Sequence, residues 1–332
     1  MKIAVIVSGG WGTALAVHLL ANGHDVTLWS RRQELTDKMR QTRENPKLPG
    51  ISLPEGLQYS SDPACVQDCP LVIMSAPSYA VRSACRAIRP YLGAETLLVS
   101  VTKGVEAETG LRMSEIMRQE TGCEVVVLSG PSHAEEVAKG LPTGCVAACA
   151  DQRKAELVQT VFMSPRFRVY SSPDVVGVEL GGALKNVIAL CAGICDGLGY
   201  GDNTKAMLMT RGLTEIARLG HAMGAKKDTF AGLAGIGDLI VTCTSMHSRN
   251  RRAGILIGQK HPVAKAMEEV GAVVEGYYAA KSAHELAVRL GAEMPITKAA
   301  FEVLYEGRDV QEAVDCLLSR DARPESEDCG WD

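Results

Sequence analysis

Through about residue 172 the chain alternates short apolar runs with stretches of helical periodicity. The runs are KIAVIV (2–7), DVTLWS (25–30), LVIMSA (71–76), TLLVSV (96–101), EVVVLS (124–129) and TGCVAACA (143–150). Several are apolar almost throughout, the pattern of strands covered on both faces in a parallel sheet. Helical stretches such as Trp11–Ala21 and Tyr79–Arg89 lie between them. This alternation predicts βαβ units and a doubly wound α/β sheet. FRVYSSPD (167–174) reads as the last strand, closed by a Ser-Ser-Pro-Asp helix start.

Beyond that point the period changes. DVVGVELGGALKNVIALCAGI, TKAMLMTRGLTEIARLGHAMG and YYAAKSAHELAVRL all carry helical spacing, so the second half reads as an all-helical domain. The predicted division is 1–172 for the α/β domain, 173–320 for the helical domain and 321–332 for a tail, which reads as disordered. No internal repeat or low-complexity linker interrupts the two.

Composition narrows the class. A chain of 332 residues with 46% hydrophobic and 22% charged residues and a net charge of −4 is an ordinary soluble globular type of about two domains. The acidic balance argues against nucleic-acid partners, which normally leave a basic surplus. The opening MKIAVIV is too short for a signal peptide, and no apolar run approaches about 18 residues, so no membrane span is expected. The eleven cysteines include three pairs spaced four apart, Cys65/Cys69, Cys145/Cys149 and Cys191/Cys195, with no histidine at zinc-ligand spacing. They read as small buried hydrophobes in a reducing cytoplasm, with no metal site.

The stretch VIVSGGWGTALA (5–16) runs a strand into a glycine-rich turn and a helix, as a dinucleotide site does. The fingerprint G-x-G-x-x-G would place glycines at 7, 9 and 12, but position 7 is Val7. The second glycine lets the backbone approach a pyrophosphate and the third packs helix on strand; Gly9 and Gly12 keep those two roles. Gly10 adds backbone freedom beside the missing first one. Trp11, Gly12 and Thr13 then open a helix whose free N–H groups and positive dipole end suit an anion. A strand–helix turn that merely needs small residues would look the same. The second strand ends in Ser30, Arg31 and Arg32 (WSRR), where an NAD-specific site usually has a carboxylate. Arginine there suits the 2′-phosphate of NADP, so NADPH is favoured over NADH. A solvated basic helix start is the plainer alternative.

In the helical half, VELGGALKNVIALCAGICDGLG (178–199) sets Lys185 and Asn186 in an apolar helix. A lysine there must be paired or face a cleft, and desolvation lowers its pKa toward the range of acid–base chemistry. A lysine snorkelling from a core helix competes with that reading. LAGIGDLIVTCTSMHSRNRRAG (233–254) adds Asp238, Thr242 and the cluster Ser248–Arg249–Asn250–Arg251–Arg252, whose donors suit a phosphate, though alone they could be a solvated helix face.

With these residues in view, the chain resembles the bacterial-type NAD(P)-dependent glycerol-3-phosphate dehydrogenases. The motifs GGWGTALA, SAPSYAVR (75–82), SVTKGVE (100–106), LSGPSHAEEV (128–137), GGALKNVIA (181–189), NTKAMLMTRG (203–212), GLAGIGDLIVTCTS (232–245) and SRNRR (248–252) occur in family order and span nearly the whole chain. The resemblance implies a Rossmann domain, a helical substrate domain, and interconversion of dihydroxyacetone phosphate and sn-glycerol 3-phosphate in the supply of glycerophospholipids. It implies that Lys185 is the catalytic lysine, that Lys103 touches both cofactor and substrate, and that Gly130, Ser132, Asp238, Ser248, Arg249 and Asn250 contact substrate. Trp11, Arg31, Ala134, Arg249, Val273 and Glu275 match cofactor positions, and a homodimer is a possible assembly. From the residues themselves, Asn186 and Thr242 join the substrate set, Gly9, Gly10, Gly12 and Arg32 the cofactor set, and Asp238 orients Lys185. His133 reads only as lining the cleft.

Two departures stand out: Val7 in place of the first glycine, and Gly10 where the family commonly has a serine. Both are expected to weaken cofactor binding more than substrate recognition. A β-hydroxyacid dehydrogenase, with a similar lysine helix but carboxylate substrates, is the enzymatic alternative. A non-catalytic Rossmann protein with a decayed cofactor turn is the other.

Overall fold

The computed structural model describes residues 1–322, 324 and 325; of the predicted tail, residues 323 and 326–332 lie outside the described residues. Eight strands form one sheet: β1 (Lys2–Ile6), β2 (Asp25–Trp29), β3 (Gln58–Ser60), β4 (Leu71–Met74), β5 (Leu97–Ser100), β6 (Val125–Ser129), β7 (Thr143–Ala148) and β8 (Phe167–Ser172). Their order is β3-β2-β1-β4-β5-β6-β7-β8. The helices interleaved with them are α1 (Gly10–Ala21), α2 (Gln33–Thr42), α3 (Val81–Ile88), α4 (Met113–Thr121), α5 (Ala134–Ala138) and α6 (Gln152–Phe162). Alternate residues of β1 enter separate cores, Ile3 and Val5 on one side and Ala4 and Ile6 on the other. Both faces are therefore covered, as the continuous apolar runs require.

Two features depart from the expected sheet. β3 is a polar three-residue edge strand beside β2, paired through Thr27–Gln58 to Trp29–Ser60, and QYS carries no apolar run to announce it. β7 runs antiparallel to β6. The short α5 packs beside α1 at the end of β6, so the chain re-enters the sheet from that end instead of crossing over a face.

The helical half consists of α7 (Val175–Gly197), α8 (Asp202–Ala222), α9 (Lys227–Phe230), α10 (Asp238–Thr244), α11 (Arg249–Gly258), α12 (Val263–Val270), α13 (Glu275–Leu290), α14 (Pro295–Tyr305) and α15 (Val310–Leu318). A single wide turn of π-helix, Leu233–Gly237, leads into α10. By length and composition alone α7 could cross a membrane, but it is mostly buried and forms the core of the helical half. Its contact with α11 is backbone-close. A Cβ on Gly193 would overlap the Arg251 carbonyl, and one on Gly254 would overlap that of Leu190.

The strand order reverses between β1 and β4, and ligands of open α/β sheets bind outside the strand ends at such a point. Register pairs of Ile6 with Trp29 and with Met74 bring the carboxyl ends of β1, β2 and β4 together there. α7 is tied to the sheet domain by Glu179, buried, which accepts from the Ser114 N–H (2.8 Å) and Ser114 Oγ (2.7 Å) and pairs with Arg112 at the start of α4.

Candidate active site

The opening turn is built as the glycines suggest, with one exception. Val7 takes φ 78, the left-handed conformation the missing glycine would have adopted. Its N–H donates to the Trp29 carbonyl (3.1 Å), and its own carbonyl accepts from Ser75 Oγ (2.8 Å). Both bonds hold the residue where a β-branched side chain is disfavoured. A Cβ on Gly12 would overlap the Val7 carbonyl and Ser75 Oγ, so this glycine sets the approach of α1 to the sheet. Gly9 has open space where a Cβ would stand. Trp11 and Ala134 pack against the same core cluster, and the Trp11 indole N–H is buried without a partner among the described residues. Arg31 and Arg32 are exposed just beyond β2. An open backbone surface, a free helix N-terminus and two cations fit a dinucleotide.

In the helical half, α7 delivers Lys185, 5% exposed, to two partners on α10. Its Nζ donates to Oδ1 of Asp238 (2.7 Å) and to Thr242 Oγ1. Asp238 is itself 1% exposed, and its other oxygen accepts from Lys103 Nζ (2.8 Å), which follows β5. Lys103 also donates to the Gly130 carbonyl (2.8 Å) and lies 3.4 Å from Ser132 Oγ. One carboxylate thus orients two ammonium groups. Burial pulls the Lys185 pKa down to about 8; Asp238 works against that shift, and Lys103 adds to it.

The remaining predicted residues form a second cluster beside the first. Asn250 Nδ2 donates to Asn186 Oδ1 (2.9 Å), and Asn250 Oδ1 accepts from the Gly276 N–H (2.8 Å). Ser248 caps α11 by accepting from the Arg251 N–H (3.2 Å). Arg249 is exposed at the first position of that helix. Arg251 does not belong with it: its Nε donates to Asp196 (2.7 Å) and an Nη to the Thr244 carbonyl (2.7 Å), so this guanidinium is spent on the fold. Val273 lies in the loop before α13, and Glu275 opens α13.

Residues 2–155 match NAD-dependent glycerol-3-phosphate dehydrogenase N-terminus, and residues 174–315 match NAD-dependent glycerol-3-phosphate dehydrogenase C-terminus. The chain belongs to this family. It is 54% identical over 332 residues to a glycerol-3-phosphate dehydrogenase (NAD(P)+) of Moorella thermoacetica, covering 99% of both chains. It is 50% identical to that of Desulfitobacterium hafniense, covering 98% of this chain and 94% of the other. The crystal structure of the Coxiella burnetii glycerol-3-phosphate dehydrogenase superposes with a TM-score of 0.93 at 38% identity, covering 96% of this chain and 99% of that one.

Ser78 and His133 lay inside the motifs without a role, and the structure gives each a place. Both oxygens of Glu275 are taken by Ser78, from its N–H (3.1 Å) and its Oγ (2.6 Å), which pins α13 to the loop after β4. Burial raises the Glu275 pKa, with the Ser78 bonds opposing. Ser78 lay inside SAPSYAVR, but nothing local marks a partner 197 positions away. His133 stands where α5 begins, its Nε2 3.4 Å from the Val241 carbonyl and its ring 5.7 Å from that of His247. Burial lowers its pKa, and Lys185 adds to the effect. Among the described residues no group of three or more His, Cys, Asp or Glu side chains could hold a metal ion.

Proposed function

We propose that this chain catalyses the reversible reduction of dihydroxyacetone phosphate to sn-glycerol 3-phosphate, with NADPH favoured over NADH. The observation that carries the reading is the buried Lys185 ammonium, held by Asp238 and Thr242, with Asp238 also tied to Lys103 of the sheet half. A bound dihydronicotinamide supplies the hydride. As C2 of the ketone accepts it, negative charge grows on the carbonyl oxygen; Lys185 stabilises that charge and donates its Nζ proton there. In the opposite direction neutral Lys185 takes the hydroxyl proton. Asp238 keeps the ammonium oriented, and Lys103 adds a second positive charge on the same carboxylate.

In this reading Arg249, Asn250 and Ser248 hold the substrate phosphate, with Gly130, Ser132, Asn186 and Thr242 along the wall. The phosphate is remote from the reacting carbon, so its binding serves orientation. Gly9, Gly10, Trp11, Gly12, Ala134, Val273 and Glu275 form the dinucleotide side, and Arg31 and Arg32 receive a 2′-phosphate. Residues 1–172 then bind the cofactor and 173–320 the substrate. The enzyme works in the cytoplasm as a homodimer and feeds glycerophospholipid synthesis. Following NADPH and NADH oxidation with dihydroxyacetone phosphate, beside a panel of 3-oxo acids, tests the reading. Turnover of the triose phosphate alone is expected; turnover of the oxo acids alone would overturn it.

A further inference from the structure

A segment without an assigned role lies across the opening turn. α2 ends at Arg43 in the left-handed conformation (φ 56), and the chain doubles back through Asn45, Pro46, Lys47, Leu48 and Pro49. Asn45, 1% exposed, donates to the Ser8 carbonyl (3.0 Å) and to Thr13 Oγ1 (2.7 Å). Its side-chain oxygen accepts from the Lys47 N–H (2.9 Å), and its carbonyl accepts from the Leu48 N–H (2.8 Å). Leu48 is buried in the core cluster that α1 covers, and the prolines on either side of the Lys47–Leu48 pair restrict φ. The strap is therefore fixed to both sides of the turn. It lies so close that the Lys47 carbonyl oxygen stands 2.7 Å from where a Cβ on Gly10 would be.

The Lys47 side chain is exposed, and its ammonium has no partner among the described residues. The strap's contact with Gly10 sets the backbone of Lys47 within a side chain's reach of the positive end of α1, where a cation is disfavoured by the helix dipole unless an anion lies between them. We propose that Lys47 is a ligand for the phosphates of the dinucleotide, and that Gly10 is glycine because the strap occupies the space of its side chain. The proposal rests on the dinucleotide reading of this turn. The Lys47 backbone lies against Gly10, at the first turn of α1, which brings the pyrophosphate position within reach of its side chain. The 2′-phosphate falls to Arg31 and Arg32.

Fluorescence titration of NADPH and NADH on the wild type, Lys47→Ala and Lys47→Arg tests this without turnover. Loss of one charge-assisted contact should weaken both cofactors by about tenfold in Lys47→Ala, equally for the two, with Lys47→Arg close to wild type. Loss for NADPH alone would put Lys47 at the 2′-phosphate and overturn its place at the pyrophosphate. Unchanged affinity for both would overturn the proposal, while a wild type that binds neither would remove the dinucleotide reading and the proposal with it. Gly10→Ala must push the strap aside, so it should weaken cofactor binding in the wild type and much less in Lys47→Ala. The melting temperature of Lys47→Ala should match the wild type, because its side chain is in solvent.

Discussion

Lys185 and Lys103 hold opposite oxygens of the same buried carboxylate, at 2.7 and 2.8 Å from Asp238. They come from different halves of the chain, one on α7 and one after β5, so the carboxylate on α10 joins helical half to sheet. Burial brings the Lys185 ammonium to about 8. Lys185→Met should therefore lose at least about 10²-fold in kcat, the scale of one lost transition-state charge partner. NADPH affinity should stay near wild type. A variant with near-normal kcat would end the assignment.

The same lysine sets the pH profile, and the sign differs with direction. Reduction needs the ammonium, so its kcat should fall as pH rises through about 8; oxidation needs the neutral amine and should rise through the same range. Asp238 raises the Lys185 pKa. Asp238→Asn should thus move the fall in reduction to lower pH, beyond any loss of rate. Profiles recorded in both directions check this, and an unmoved limb would mean another group titrates.

What the sequence made legible was what its local pattern encodes. Continuous apolar runs marked the strands, and Lys185 stood out because an apolar helix has no place for a bare ammonium. Asp238 and Thr242 were visible as polar positions one helical turn apart. The strand β3 was not, since QYS is polar and lies at an edge. Arg249 and Arg251 looked equivalent in SRNRR, yet the helix phase sends one to solvent and the other to Asp196, 55 positions earlier. The bonds of Asn45 to Ser8 and Thr13 depend on the tertiary path, and an Asn-Pro pair announces no more than a turn.

That separation of the two arginines is testable. Arg249→Ala should raise KM for dihydroxyacetone phosphate far more than for phosphate-free dihydroxyacetone, with a smaller effect on melting temperature. Arg251→Ala should do the reverse, since it leaves Asp196, mostly buried, with only Lys205 as an ion-pair partner among the described residues. NADPH affinity measured alongside would show whether Arg249 also serves the cofactor. Equal losses for both trioses would remove Arg249 from the phosphate.

Arg31 offers a test of cofactor choice. NADPH should be used at least as well as NADH, and Arg31→Ala should erode mainly the NADPH activity, because only that cofactor carries the 2′-phosphate. A wild type that strongly prefers NADH would contradict the reading of WSRR.

Val7 decides what the missing glycine does. The expectation from sequence was a handicap in cofactor affinity, but φ 78 is fixed by the bonds to Trp29 and Ser75 within the fold. The strain then belongs to free and bound enzyme alike and falls on stability, at about 1–3 kcal/mol for a residue held in a sparsely populated region. Val7→Gly relieves it but also removes packing against the core, so a single substitution mixes two effects. Val7→Ala removes the packing and keeps most of the strain. At an ordinary strand or helix position alanine is more stable than glycine by about 0.5–1 kcal/mol. Here the order should invert: Val7→Gly should melt several degrees above Val7→Ala, and the two should bind NADPH alike. If alanine is the more stable of the two, the turn does not hold position 7 at positive φ. If instead the glycine variant binds NADPH about tenfold tighter at an unchanged melting temperature, the strain arises only on binding, and Val7 is a brake on affinity after all.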